Sequence, residues 1–240
     1  MKLVLIGGGN YGVQEDLPYN LKEIDEKIVS LSNKAHPRLL FIGFTERSNY
    51  YYSFIKRNFM NLGCQCEYLK YDEFDNQKTV DGKFKRADIL YLGGGNTLFY
   101  MKQIKKFGLD KKIVEFAEQG KVIAGLSAGS IICCSLGMSD SRNYQGKVKY
   151  TCVKGLGLLN LVYVPHYQNS NRPDDIERFM SYKKKMTAIC CDECAAFVVE
   201  DDKFSTLKTN ENSKVFKCKF ENKILKQTEI KTSGNLLDLI

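Results

Sequence analysis

The stretch Lys121-Val-Ile-Ala-Gly-Leu-Ser127-Ala-Gly-Ser-Ile-Ile-Cys-Cys134 decides the fold of this chain. An apolar run at residues 122–124 enters a Gly-Leu-Ser-Ala-Gly turn and leaves through small and apolar residues, which is the strand-turn-helix context of a nucleophile elbow. Glycine on both sides permits such a sharp turn, because only a residue without Cβ lets the backbone pack so closely. The pattern predicts Ser127 at the tip and the Ala128 amide beside its hydroxyl, as half of an oxyanion hole.

Apolar, strand-like runs alternate with amphipathic, helix-like runs in the chain before this turn. Strands are predicted at residues 2–6, 38–43, 64–70 and 88–92, with helices between them. This alternation predicts an α/β fold with a mostly parallel sheet and helices on both faces. Three glycine-bearing strand exits, at residues 7–9, 93–95 and 125–129, are then expected on one rim, where parallel sheets bind ligands.

Short apolar runs separated by turns follow the elbow. A helix is predicted at residues 174–184, and short strands at 188–191, 195–199, 204–208 and 214–220. This pattern predicts antiparallel hairpins that close the C-terminal edge of the sheet. No linker divides the 240 residues, so we expect a single domain spanning residues 1–240, in which residues from about 227 onward form a flexible tail.

The charge and cysteine content limit the partners and the compartment. The net charge of +8 is spread over the chain, with Lys183-Lys184-Lys185 as its densest cluster, so we expect a solvated surface and neither a nucleic-acid nor a membrane partner. Nine cysteines, an odd number with two adjacent pairs, favour a reducing cytoplasm over a disulfide framework. Residues 122–139 carry no charge, but three glycines and four serines argue against a membrane span. A monomer or homodimer is expected.

A serine nucleophile requires a neighbouring base, which is usually histidine, and the chain has two histidines. His36 precedes Pro37 at the entry to a strand and is expected at the end of the sheet opposite to the ligand rim. His166 follows an apolar run and is expected at a strand exit. Elimination leaves His166 as the candidate base, provided that Ser127 is catalytic. The turn motif alone is equally compatible with a tight structural turn.

The second oxyanion donor is expected from another strand exit. Gly93-Gly94-Gly95-Asn96 is a suitable source, with Asn96 capping the helix that follows. A phosphate-binding loop is the competing interpretation of both glycine runs, although neither completes a P-loop or a Gly-x-Gly-x-x-Gly motif. Cys191-Asp-Glu-Cys194 lacks a second well-placed pair for zinc, so no metal and no cofactor are predicted.

Four motifs in order resemble those of the peptidase E and cyanophycinase family of serine hydrolases. They are Gly93-Gly-Gly-Asn-Thr97, Gly125-Leu-Ser-Ala-Gly129, Pro165-His166-Tyr-Gln-Asn169 and Asp192-Glu193-Cys-Ala-Ala196. The resemblance covers most of residues 1 to about 200. It implies an α/β sandwich related to class I glutamine amidotransferases, with a serine in place of their cysteine nucleophile. By position it implies Ser127 as nucleophile, His166 as general base and acid, and the amides of Gly95 and Ala128 as oxyanion hole.

The resemblance leaves the acid of the triad open between two carboxylates. Glu193 matches an acidic position in the motif after the histidine, whereas Asp140 falls near an aspartate that has also been proposed for the role. We favour Glu193, because a carboxylate at a strand exit would hold the imidazole rigidly. Either residue could instead be an ordinary turn carboxylate.

Peptidase E cleaves dipeptides with an N-terminal aspartate, whose carboxylate an arginine reads. Arg172 occupies the comparable position, and Asn96 and Asn169 complete the implied substrate-binding set. The segment between His166 and Arg172 is shorter here and Pro173 follows at once, so an arginine that merely faces solvent is the alternative. The chain is therefore predicted to be a cytoplasmic serine peptidase that hydrolyses small peptides through an acyl-enzyme. An esterase or acyltransferase with the same site, and a non-catalytic ligand-binding protein, are the alternatives.

Overall fold

The computed structural model describes residues 1–12, 18–45, 47–142 and 150–239. Helices within these ranges are α1 (Lys22–Leu31), α2 (Ser48–Asn61), α3 (Gln77–Arg86), α4 (Thr97–Lys106), α5 (Leu109–Glu118), α6 (Ala128–Cys133) and α7 (Arg172–Ser181). Strands are β1 (Lys2–Ile6), β2 (Arg38–Ile42), β3 (Gln65–Tyr68), β4 (Ile89–Leu92), β5 (Val122–Leu126), β6 (Cys134–Ser139), β7 (Thr151–Lys154), β8 (Leu159–Val164), β9 (Ala188–Cys191), β10 (Ala195–Glu200), β11 (Lys203–Lys208), β12 (Val215–Glu221), β13 (Ile224–Glu229) and β14 (Gly234–Asn235).

An eight-stranded sheet forms the centre of the fold, in the order β14-β11-β10-β1-β5-β4-β2-β3. Strands β1, β5, β4, β2 and β3 run parallel to one another, while β10, β11 and β14 continue the sheet in antiparallel fashion. The buried, continuous apolar sequences of β4 and β5 are typical of strands covered on both faces. The predicted α/β fold with a mostly parallel sheet and an antiparallel edge is confirmed.

A second sheet of six strands, in the order β13-β12-β9-β8-β6-β7, was not foreseen. The chain leaves the central sheet directly after α6, because β6 begins at Cys134, the residue that follows this short helix, and pairs with β8. The four predicted hairpin strands consequently separate: β10 and β11 extend the central sheet, whereas β9 and β12 belong to the second one. Short apolar runs in a sequence predict strands, but they do not indicate which sheet each strand joins.

Alternate residues of β1 point into two different cores. Leu3 and Leu5 contribute to the core shared with α3 to α6 and with the second sheet. Val4 and Ile6 contribute to the core beneath α1 and α2. The central sheet is therefore covered on both faces, as the two-residue period of a strand requires. Across the ranges given above, no helix is long and apolar enough to cross a bilayer.

The expected flexible tail is contradicted by the order of residues 227–239. Residues 227–229 lie in β13, which pairs with β12 along its whole length. Gly234 and Asn235 then pair with β11, and the side chains of Leu236 and Leu239 are buried in the large core. The polar sequence of β13 gives no strand signal, although the strand pairs with the neighbouring β12. Two buried leucines, Leu236 and Leu239, hold the segment that follows against the core.

A buried carboxyl group lies between α1 and the segment after β1. Asp25 is fully buried and accepts hydrogen bonds from the hydroxyls of Tyr11 (3.1 Å) and Tyr19 (2.6 Å), and the Tyr11 hydroxyl also contacts that of Tyr91. Burial raises the pKa of Asp25 to about 7, although both tyrosine hydrogen bonds act in the opposite direction. Between pH 4 and 7 the folded protein therefore keeps a proton that the unfolded chain releases.

The wild-type protein is expected to lose free energy of unfolding as the pH rises, and replacing Asp25 by asparagine is expected to reduce this loss. A pKa raised by folding contributes stability that is present below the unfolded pKa of 3.8 and is lost as the pH rises through about 7. The difference between these pKa values corresponds to about 4 kcal/mol. Urea unfolding of both proteins at pH 4 and pH 8 measures the effect. Between pH 4 and pH 8, the free energy of unfolding of the wild type should fall relative to that of the asparagine variant by up to this amount. Parallel curves would contradict the assignment.

Candidate active site

Ser127 lies at the sharp turn between β5 and α6, with φ 51° and ψ −104°. A positive φ is rare for a residue with a side chain and is a conformation that only the surrounding structure can enforce. The flanking glycines explain how it is enforced. A Cβ on Gly125 would lie 2.5 Å from the backbone of Gly129, and a Cβ on Gly129 would lie 2.1 Å from the Leu92 carbonyl oxygen. The short helix α6 therefore packs directly on the strand ends, and the predicted elbow is present.

His166 and Ser127 meet, although they leave different sheets. His166 follows β8, adopts φ 49°, and its backbone N–H donates to the Gly7 carbonyl at the end of β1 (3.0 Å). Its Nε2 lies 2.8 Å from Ser127 Oγ, within ordinary hydrogen-bond distance. The two residues that the sequence analysis paired are thus in direct contact, 39 positions apart in the chain.

Glu193 occupies the other side of the imidazole. Its Oε1 lies 2.9 Å from His166 Nδ1. The hydrogen bond from His166 lowers the pKa of Glu193, while partial burial acts against it. The Glu193 backbone N–H donates to Asn169 Oδ1 (3.1 Å), so Asn169, predicted to bind substrate, holds the loop of this carboxylate.

Asp140, the alternative acid, pairs with a different residue. Its Oδ2 lies 3.6 Å from Arg172 Nη2, and half of its side chain is exposed. Since Glu193 already accepts from His166 Nδ1, the geometry places Glu193, and not Asp140, behind the imidazole. The sequence left the partner of His166 open between Glu193 and Asp140, and their positions in the structure distinguish them.

Asp192 fixes the segments that carry the histidine and the glutamate, a role that the sequence analysis missed. Its buried carboxylate accepts the backbone N–H of Gln168 (2.8 Å) and that of Lys214 (2.9 Å). Burial raises the pKa of Asp192, against the effect of both backbone hydrogen bonds. Asp192 therefore connects the loop after β8 to the start of β12. Of the adjacent carboxylates Asp192 and Glu193, only Glu193 contacts the imidazole.

Gly8 is the second residue that the sequence analysis missed. A Cβ built on it would lie 2.5 Å from His166 Nδ1 and Cε1 and 2.9 Å from Glu193 Cγ. The glycine run after β1, considered above as a phosphate loop, instead makes room for the hydrogen-bonded side chains. A sequence pattern shows that glycines are grouped, but the neighbour that each one accommodates is visible only in three dimensions.

Substituting Gly8 by alanine is expected to lower kcat on the order of 10²-fold with little loss of stability. The added methyl group displaces the imidazole, and a shift near 1 Å in a reacting group is enough for such a loss. The φ of Gly8 lies outside the left-handed region, so alanine strains the backbone little. Steady-state kinetics and thermal unfolding measure the two effects. In the control Gly82→Ala, within α3, the new Cβ meets only the flexible end of Arg86, and equal losses in both variants would contradict the explanation.

The loop after β4 borders Ser127 on the side away from His166. A Cβ on Gly94 would lie 3.9 Å from Ser127 Cβ, and Gly95 has φ +133°, with a built Cβ 2.7 Å from Thr45 Cγ2. Asn96 caps α4 by accepting the Phe99 N–H (3.0 Å), as predicted. Across from this loop, Ala128 is the first residue of α6, where an amide has no acceptor within the helix.

The Arg172 side chain is buried, contrary to the alternative that it faces solvent. Only 4% of it is exposed, at the start of α7. The guanidinium carbon lies 4.7 Å from the centre of the Tyr150 ring, and Nη1 donates to Ser170 Oγ (3.0 Å). Of the fork that was predicted to read a substrate carboxylate, Nη1 and Nη2 thus face Ser170 and Asp140, whereas Nε is buried without a hydrogen-bond partner among the described residues.

A cavity of about 1080 Å³ opens beside the loop after β4, over the carboxyl ends of β2, β3 and β4. Asn96 belongs to its wall, together with the aromatic residues Phe44, Tyr68, Tyr71 and Phe99. Ligand cavities in proteins commonly have this size and an apolar lining with a few polar groups. Through Thr45 and Asn96 the cavity adjoins the loop after β4, whose Gly94 in turn lies beside Ser127.

The remaining predicted residues lie apart from this chemistry. His36 is exposed at the opposite end of the sheet, with Nδ1 3.3 Å from the Gly63 carbonyl oxygen. Cys191 and Cys194 are buried on either side of the acidic pair, and both carry free thiols. Among the residues that the structure describes, no group of three or more His, Cys, Asp or Glu side chains could hold a metal ion.

Comparisons with known proteins agree with this geometry. The model of the family described as peptidase family S51 matches residues 3–207. A curated relative from Bacillus subtilis (strain 168), named "Uncharacterized peptidase YgaJ", is 28% identical over 220 residues, which cover 90% of this chain and 91% of the relative. The similarity therefore extends through both sheets and includes the segments that carry Ser127, His166 and Glu193.

Two solved structures have the same fold. A peptidase from an acI-B1 Actinobacterium superposes with a TM-score of 0.69 at 19% identity, covering 98% of this chain and 96% of that one. A candidate peptidase E protein from Listeria monocytogenes EGD-e gives a TM-score of 0.61 at 20% identity, covering 86% of this chain and 98% of that one. At these identities the superpositions establish the shared fold.

Proposed function

The chain belongs to peptidase family S51, and from this premise we propose that it is a serine peptidase that hydrolyses small peptides through an acyl-enzyme on Ser127. One observation carries the proposal: an unbroken chain of hydrogen bonds from Ser127 Oγ through His166 to Glu193. A nucleophile, a base and a group that orients the base, each within 3 Å of the next, are what acyl transfer by serine requires.

In the acylation step, Ser127 Oγ attacks the carbonyl carbon of the scissile bond and His166 Nε2 takes its proton. Glu193 accepts the Nδ1–H of the same ring, keeps it in the required tautomer and stabilises the imidazolium. The negative charge on the substrate oxygen is received by the amides of Gly95 and Ala128. When the tetrahedral intermediate collapses, His166 returns the proton to the leaving amine.

In the deacylation step, His166 accepts a proton from water as the water attacks the ester carbonyl. The same two amides receive the oxyanion, and Ser127 regains its proton when the acid product leaves. Asp140 has no part in this sequence, because its carboxylate pairs with Arg172.

A cytoplasmic location and a small peptide substrate complete the proposal. The nine cysteines all carry free thiols, which is the state that a reducing compartment maintains. Specificity for an N-terminal aspartate receives no support from Arg172, whose guanidinium is buried against Tyr150 and paired with Asp140.

Labelling with a fluorophosphonate tests the proposed nucleophile directly. The reagent should modify Ser127 of the wild-type protein, identified by mass spectrometry of its peptides, and should react far more slowly with His166→Gln. Comparing amide with ester substrates then separates a peptidase from an esterase that uses the same residues. An unlabelled Ser127 in a folded, peptide-cleaving sample would overturn the mechanism.

A further inference from the structure

The position of the large cavity relative to His166 shows which part of a substrate it can receive. Along the rim of the central sheet, Ser127 follows β5, the imidazole of His166 lies against Gly8 at the end of β1, and the cavity lies over the ends of β4, β2 and β3. Base and cavity are therefore on opposite sides of the nucleophile. The leaving nitrogen must come within hydrogen-bond reach of His166 Nε2. The part of the substrate that extends toward the cavity is consequently the acyl part.

The cavity wall has the chemistry of a site for aromatic or large aliphatic groups. Phe44 lies buried at its base, whereas Tyr71 and Phe99 leave 59% and 45% of their surface exposed. Exposed rings grouped around a cavity mark a binding surface more often than rings scattered singly. The charges on the wall, Lys70 and Asp72, lie two positions apart in the chain and have opposite signs, so they give the cavity little net charge.

We propose that this cavity is the acyl-side specificity site of the peptidase and that it receives an aromatic or large aliphatic side chain from the residue whose carbonyl is attacked. The inference rests on the function proposed above. It names a substrate class that differs from acidic peptides, because Arg172 lies outside the cavity wall and the wall carries little net charge. Substrates such as Phe-Ala and Leu-Ala are accordingly expected to exceed Asp-Ala in kcat/KM.

Kinetics on a dipeptide panel test the proposal. The double variant Tyr71→Ala/Phe99→Ala should lower the ratio of kcat/KM for Phe-Ala to that for Ala-Ala by about 10- to 100-fold, the range expected when apolar pocket contacts are removed. The matched control is Tyr182→Ala, which removes an exposed ring outside the cavity and should leave the ratio unchanged. An unchanged ratio in the double variant, or a wild-type preference for Asp-Ala, would overturn the proposal.

Binding provides a second readout that does not depend on turnover. The chain contains no tryptophan, so Phe99→Trp in a Ser127→Ala background places a single indole on the cavity wall. Titration with Phe-Ala should change its emission saturably, whereas Ala-Ala should require at least tenfold higher concentration. The control Tyr182→Trp in the same background should show no change. A response of both reporters, or of neither, contradicts binding in the cavity.

The two proposals fail in different ways. If no dipeptide is cleaved and the fluorophosphonate leaves Ser127 unlabelled, the proposed function itself is wrong. If Ser127 is labelled and peptides are cleaved without a preference for large apolar residues, only the assignment of the cavity is wrong.

Discussion

Replacement of Ser127 by alanine is expected to lower kcat for peptide hydrolysis by a factor of about 10⁴ to 10⁶. The variant removes the atom that is proposed to form the acyl-enzyme, while the imidazole and the backbone amides near the elbow keep their places. Residual catalysis above the uncatalysed rate is still expected, because the amides near Ser127 continue to polarise a bound carbonyl. Because alanine is smaller and the Ser127 side chain is partly exposed, the fold should persist.

Ser130 is the control for this prediction, since its hydroxyl is the next one along the elbow. It is fully buried, and its Oγ lies 2.9 Å from the Ile6 carbonyl oxygen and 2.6 Å from that of Gly125. Ser130→Ala should therefore lose some stability and retain fluorophosphonate labelling. Kinetics, labelling and circular dichroism on both variants are the measurements. If labelling disappears in Ser130→Ala and persists in Ser127→Ala, the nucleophile has been misassigned.

Glu193→Gln is expected to lower kcat by about 10² to 10⁴ with little change in KM. A glutamine amide can donate to His166 Nδ1 and thereby favour the tautomer that cannot accept the serine proton. The matched control is Asp140→Asn, which changes the same kind of group at the rival position and should alter kcat less than threefold. A large effect of Asp140→Asn together with a small effect of Glu193→Gln would reverse the assignment.

The pH dependence of this pair has a definite sign. The hydrogen bond from His166 holds the pKa of Glu193 below its ordinary value of 4.5. A lowered pKa contributes stability that is fully present above the unfolded value and is lost as the pH falls through the folded one. Wild-type protein and Glu193→Gln should therefore show a constant difference in free energy of unfolding above pH 5, which shrinks below pH 4.5. A difference that shrinks toward alkaline pH would contradict the interaction.

The sequence was sufficient to pair Ser127 with His166, because each is tied to a local pattern. Ser127 lies between two glycines after an apolar strand, and His166 is one of only two histidines. The carboxylate beside the imidazole required three dimensions. Glu193 and Asp140 each stand near a strand end, and the pairing of β10 with β1 brings Glu193 to the imidazole. Local signals define elements, while contacts between distant elements depend on the whole chain.

The second sheet and the C-terminal segment show the same limit. The strand β6 follows α6 without a loop, so no turn residue marks the passage from one sheet to the other. In β13 the consecutive polar residues 226–229 indicate exposure, and the pairing with β12 comes from backbone groups that any sequence possesses. Gly8 is similar, since its importance lies in the volume required by the neighbouring side chains.

Because Ser127 and His166 follow strands of different sheets, the activity depends on how the two sheets pack against each other. The serine departs from one sheet and the imidazole from the other, and 2.8 Å separates their atoms. A slippage of one layer over its neighbour by a single ångström would preserve every strand and helix yet open that gap. Heat or denaturant should then abolish the peptidase activity before the secondary structure is lost.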